Sequence, residues 1–193
     1  MPLYLPQSFS SYKLLGIDPG LNFTGVAELT ICYHTGKILS IEAYTLANDR
    51  LSDYTGLDHD TISERTVKLY KLKLALRYIL QRVNPSRIAC EAPFYNRLRP
   101  MAFGTLLEVV NVLYSAVLEY NSNIPFTTIA PMSVKKFVSA KMVKNDTEKG
   151  KLAVKDAIKS IPEIMDVLLT NIDLLSEHAI DAIAIGYTLT KTE

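Results

Sequence analysis

Leu14-Leu15-Gly16-Ile17-Asp18-Pro19-Gly20 is the stretch on which the reading of this chain turns. An apolar run that begins at Tyr12 and is halted after Ile17 by Asp-Pro-Gly turn chemistry describes a buried central strand stopping at a carboxylate. Outward from it, residues 24–33 are rich in β-branched and apolar side chains, 34–37 have turn composition and 38–46 alternate again, so three consecutive strands form a meander. Residues 47–61 carry Asn48, Asp49, Asp53, Gly56, Asp58 and Asp60 without a period and read as an irregular loop. The spacing of Val67, Leu69, Leu72, Leu76, Ile79 and Leu80 predicts a long helix over 62–83, ended by Asn84-Pro85. Residues 87–91 (RIACE) predict a short buried strand that again ends in a carboxylate, and 126–129 a fifth strand. Helices are expected over 101–120, 132–140, 149–161 and 177–189, with breaks at Pro162 and Asn171. That order is α/β: a mixed five-stranded sheet flanked by helices.

A chain of 193 residues suits one domain with a sizeable core, residues 1–11 being a loose leader. With 48% hydrophobic and 21% charged residues the composition is that of an ordinary globular protein. The net charge of +1 excludes a globally basic nucleic-acid binder, so any nucleic-acid site must be a local patch. Cys32 and Cys90 lack the CxxC spacing of a structural zinc site and lie in apolar strands, which points to a reducing compartment. No basic n-region followed by an apolar stretch opens the chain, and no run reaches the ~18 apolar residues of a membrane span. Neither secretion nor membrane insertion is expected.

Three carboxylates sit in apolar settings. Asp18 closes the first strand, Glu91 the fourth, and Asp181 lies inside Ala179-Ile180-Asp181-Ala182-Ile183-Ala184-Ile185. Each needs a cation, a hydrogen-bonding partner or a raised pKa. Asp18 also fits as a turn-former. Asp181 resists such a reading, being too deep in its helix to cap it and having no Lys or Arg within a helical turn. His178 and Glu177, three and four residues earlier, can share its face, although both residue types also suit a helix start. Three acidic groups from separate segments point to one shared metal site.

Taken in order, Gly16-Ile17-Asp18-Pro19-Gly20, Cys90-Glu91-Ala92-Pro93-Phe94, residues 131–138 (PMSVKKFV) and residues 178–185 (HAIDAIAI) resemble the RuvC-type Holliday junction resolvases over roughly residues 13–190. The resemblance implies a ribonuclease H-like fold, a homodimer and a metal-dependent endodeoxyribonuclease. Its implied action is symmetric paired nicking of four-way DNA, leaving 5′-phosphate and 3′-hydroxyl ends. Asp18, Glu91 and Asp181 match the family's metal-binding carboxylates, and His178 stands where members carry Asp or His. Lys151 and Lys135 resemble its basic residues near the scissile phosphate, with Lys149 an equally good alignment to Lys151. Phe94 resembles the aromatic that opens or stacks on bases at the junction centre, although a core aromatic would also fit there. The leader, residues 47–61 and Arg97-Leu98-Arg99-Pro100 depart from the family pattern.

Carboxylate oxygens suit Mg²⁺ or Mn²⁺, and two ions about 4 Å apart can activate a water and stabilise the leaving oxygen. If His178 is a ligand, it should favour Mn²⁺. Lys135, Lys136, Lys141, Lys144, Lys149, Lys151, Lys155 and Lys159 fall within 25 residues and form a candidate DNA patch or an ordinary solvated face. Arg82, Arg87, Arg97 and Arg99 flank Glu91 and are candidates for the junction arms. The helix over 101–120 is apolar enough to serve both the core and a dimer interface. An actin-like ATPase is disfavoured by eight glycines and no phosphate loop. A nuclease for other branched DNA, or a non-catalytic junction-binding scaffold, is the alternative. The cysteine usage and the lack of a signal or membrane segment favour a cytoplasmic setting in a bacterial or phage-infected cell, and the departures from the bacterial pattern favour a phage origin.

Overall fold

The computed structural model describes residues 11–52, 61–95, 97, 100–140 and 147–191, and the side chains of 147–151 are not described. Residues 1–10, residues 53–60, Arg99, Lys141 and Lys144 therefore lie outside the described residues, whereas Ser11, expected in the leader, opens the first strand. Five strands are present: β1 (Ser11–Asp18), β2 (Phe23–Cys32), β3 (Ile38–Ala47), β4 (Arg87–Glu91) and β5 (Phe126–Ile129). They lie in the order β3-β2-β1-β4-β5. The first three form the antiparallel meander, and β4 and β5 add in parallel beside β1. The sheet is therefore mixed, as the sequence predicts, with β1 at its centre.

Alternation along β1 sends Leu15 and Ile17 to one face and Leu14, Gly16 and Asp18 to the other. The first face packs on α1 (Glu64–Val83) and α2 (Pro100–Asn121). The second packs on α6 (Glu177–Lys191), with α3 (Pro131–Phe137) and α4 (Thr147–Lys159) beside it. Two apolar layers thus sandwich one sheet.

Helix boundaries follow capping chemistry. Ser63 caps α1 by accepting from the Thr66 amide, and Asn84 ends it in the left-handed conformation at φ 48°. Pro131 and Pro162 open α3 and the short α5 (Pro162–Met165) at positions where no amide donor is needed. Pro162, expected only as a break, is thus also a start. Likewise, part of the stretch expected to be irregular is a short 3-10 turn over Asn48–Arg50.

α6 lies unusually close to the sheet because glycine stands beneath it. A Cβ on Gly25 would overlap the carbonyl oxygen of His178, and one on Gly16 that of Ala182. Gly25 pairs with Asp18 across β1 and β2, so the first turn of α6 comes down beside the end of the central strand.

Candidate functional site

In the β1–β4 register Ile17 pairs with Cys90, so Asp18 and Glu91 occupy the next step on neighbouring parallel strands. Ile17 and Cys90 both belong to the apolar layer under α1 and α2, so by alternation both carboxylates point to the α6 side. Asp181, one turn into α6, completes the group from above.

The electrostatics follow from that crowding. Burial pushes the Glu91 carboxyl up to about 8, with the charges of Asp18 and Asp181 adding to it. Burial, then the Asp18 charge, pushes Asp181 up to about 7. Asp18 is also raised, by burial, although its hydrogen bond to His178 acts the other way. The ammonium of Lys135 on α3 acts against the rise at Glu91 and at Asp181. An arrangement in which three acids oppose one another's ionisation attracts a cation.

His178 Nδ1 lies 2.7 Å from Asp18 Oδ2, and its Nε2 lies 3.8 Å from Glu177 Oε1. The hydrogen bond to Asp18 raises the imidazole pKa, against the desolvation that would lower it. With a carboxylate as partner, Nδ1 carries the proton, and the ring nitrogen nearest Asp18 is committed to a hydrogen bond. The ring also stacks on Phe23, with centroids 5.9 Å apart and planes 18° apart.

The acidic residues singled out from sequence thus converge, although among the described residues no three His, Cys, Asp or Glu side chains close into a ligand set as they stand. Their chemistry suits a hard cation all the same: oxygen donors, burial and mutual repulsion that such an ion would relieve. Asp18, Glu91 and Asp181 are the residues that would hold it.

The basic residues divide. Lys135 faces the acids, while Lys136 is exposed on α3. Lys149 and Lys151 lie on α4, and the placement of their side chains is not described. Lys155 and Lys159 both pair with Asp173, at 3.0 and 2.7 Å, so the lysine patch is smaller than the sequence suggests. Phe94 is 45% exposed in the loop after β4, outside the core, and Arg97 is exposed in a nearby turn. Arg82 is drawn to the opposite side of the sheet, where it pairs with the buried Glu28 and bonds the Tyr44 hydroxyl at 3.0 Å. It is committed there and not poised over the acids. Sequence reasoning missed Phe23, whose position opposite His178 follows only from the strand register.

No protein-family model matches the chain, and no curated protein matches it in sequence. Among solved structures, Thermus thermophilus RuvC in complex with a Holliday junction substrate superposes with a TM-score of 0.61 at 18% identity, covering 92% of each chain. The yeast mitochondrial Holliday junction resolvase Ydc2 gives 0.63 at 15% identity, covering 96% of this chain and 82% of that one. The fowlpox virus resolvase, in complex with Holliday junction DNA, gives 0.54 at 14% identity, covering 93% and 97%. The fold is therefore the ribonuclease H-like fold of the RuvC-type resolvases.

Proposed function

We propose that this chain is a metal-dependent endodeoxyribonuclease that resolves four-way DNA junctions by paired, symmetric nicks leaving 5′-phosphate and 3′-hydroxyl ends. The observation that carries the reading is the convergence of Asp18, Glu91 and Asp181 at the ends of two neighbouring parallel strands and on the helix above them. Burial raises the pKa of all three, the Asp18 charge raises those of Glu91 and Asp181 further, and a lysine faces them. The fold shared with structures of resolvases bound to junction DNA supports this choice of substrate.

Asp18, Glu91 and Asp181 would hold Mg²⁺ or Mn²⁺, most simply as a pair of ions. When bound, these supply a water nucleophile at neutral pH and charge stabilisation at the leaving oxygen. The protein's own groups do the rest. His178 fixes the rotamer of Asp18 through its Nδ1–H and leaves the other oxygen of that carboxylate free to ligate. Lys135 brings a positive charge beside Glu91 and Asp181, where it can also meet a phosphate oxygen of the DNA strand. Phe94 and Arg97, exposed beyond the end of β4, would meet the branch point and an adjacent arm. Lys136 on α3, and Lys149 or Lys151 on α4, would extend the phosphate contacts, with Arg99 continuing those of Arg97.

Two nicks at a fixed spacing call for two sites, and α2 offers the surface for a homodimer. By length and composition it could cross a membrane, but its buried side carries Val110, Leu113 and Val117 into the core. Its outer side exposes Leu107, Tyr114 and Leu118, spaced as in a helix–helix seam.

The test is cleavage of a synthetic four-way junction beside duplex, flap and single-strand controls, in Mg²⁺ or Mn²⁺, with Asp181→Asn as control. Paired nicks that disappear in the variant support the resolvase. Preferred cutting of flaps keeps the nuclease and changes its substrate. Tight junction binding with no metal-dependent cutting favours a scaffold instead.

A further inference from the structure

Beside the carboxylates lies a second cavity, of about 510 Å³, which none of the assigned residues except His178 enters. Phe23 and His178 form one wall, Thr45 and Ala47 of β3 another, and the Asn48–Arg50 turn brings Asp49 and Arg50 to it. Phe23 is 49% exposed, so one face of its ring rests on His178 while much of the side chain remains open to solvent.

The turn that carries Asp49 and Arg50 is held in place. The amide side chain of the buried Asn48 donates to the carbonyls of Leu21 at 3.0 Å and Lys68 at 2.9 Å, and its backbone amide donates to Asn22 at 2.8 Å. On another side of the cavity a 2.5 Å hydrogen bond between Thr45 and Ser176 ties β3 to the start of α6. These contacts preorganise a concave site against the catalytic centre.

The charges choose its occupant. Asp49, Glu177 and Arg50 all line the cavity, so a phosphate filling it would meet two carboxylates against one guanidinium, which leaves Arg50 to pair with a phosphate attached to a neutral occupant. A neutral planar group beside Phe23 suits the interior. Carboxylates only accept hydrogen bonds, so they favour a base edge that donates through an amino group over that of thymine, whose one N–H lies between two carbonyl oxygens that a carboxylate repels.

We propose that this cavity is a nucleoside subsite that seats the base flanking the scissile phosphate, with Phe23 as its stacking platform, Arg50 at its phosphate and Asp49 selecting bases that carry an exocyclic amino group. The inference rests on the nuclease reading and deepens it, because it assigns this chain a determinant of cleavage-site preference.

The test uses full-length wild type, Phe23→Leu, Phe23→Ala and Asp49→Asn. Four-way junctions are labelled with 2-aminopurine one nucleotide at a time around the crossover and bound in metal-free buffer. One labelled position should be quenched several-fold by wild type and by Asp49→Asn. Both Phe23 variants should lose that quench and bind about tenfold more weakly. Phe23→Leu retains apolar bulk against His178 and so separates lost stacking from lost folding. With Mg²⁺, thymine at that position should be cut about fivefold more slowly than adenine, cytosine or guanine, and Asp49→Asn should erase the difference. Equal quenching by wild type and the Phe23 variants, or equal cutting of all four bases, overturns the subsite and leaves the nuclease standing. A wild-type protein that neither binds nor cuts any junction overturns the nuclease reading and the subsite with it.

Discussion

At Glu91 and Asp181, burial and neighbouring acids oppose ionisation, and this has a definite sign for stability. Both groups bind protons more tightly folded than unfolded, with pKa values near 8 and 7 against ordinary values of 4.5 and 3.8. Their contribution is therefore fully present below about pH 4 and is lost as pH rises through 8. His178, whose pKa is also raised, tilts stability in the same direction. In metal-free buffer the melting temperature should fall between pH 5 and 8.5, and Glu91→Gln should remove part of the fall. At pH 8 that variant should be about 2 kcal/mol more stable than wild type while cutting no junction. Mg²⁺ should raise the wild-type melting temperature most at high pH and that of Glu91→Gln least. A flat pH profile in calorimetry would contradict the crowding of the acids.

At the scale of elements, the approach of α6 to the sheet depends on Gly25. Gly25→Ala places a methyl group against the His178 carbonyl, so the first turn of α6 must lift. The expected cost is about 3 kcal/mol in urea unfolding, with junction cleavage reduced about a hundredfold because Asp181 and His178 move away from Asp18. Unchanged stability and rate would show that the helix does not pack as described. The opposite face has its own critical contact, since Arg82 from α1 neutralises the buried Glu28. Arg82→Met should cost about 2 kcal/mol by leaving that carboxylate without its cation, with only the Tyr44 hydroxyl donating to it at 2.8 Å. Cleavage per folded molecule should not change, because Arg82 lies across the sheet from the acids. A loss of junction affinity without a loss of stability would instead return Arg82 to the DNA-binding surface.

For the whole molecule, the proposed pairing of two active sites would rest on α2. Leu107→Glu combined with Leu118→Glu puts charges on the exposed stripe without touching the buried Val110, Leu113 and Val117. Sedimentation should then show a monomer that retains its fold and nicks one strand at a time, so that paired incision within one binding event is lost. A double variant that remains dimeric places the interface elsewhere. Junction affinity should also fall steeply with salt, because a chain of net charge +1 must concentrate its phosphate contacts in a few local lysines and arginines.

The element order, the sheet composition and the three acids could be read from the linear chain, because burial writes a period into the sequence and a carboxylate interrupting an apolar run stands out. Asp18, Glu91 and Asp181 were legible for that reason. Partnership was not, because it depends on contacts between residues far apart in the chain. Arg82 reads in the linear chain as a cation available to DNA, but the fold sets Glu28 beside it, and Lys155 and Lys159 likewise meet Asp173. Phe23 carried no signal until the antiparallel register set Gly25 against Asp18, and α6, settling over that glycine, brought His178 onto its ring. Local patterning determined which residues are buried and which are charged; only the packing of α6 on the sheet decided which of them meet, because side-chain contact across elements is a property of register and approach distance that no local window contains.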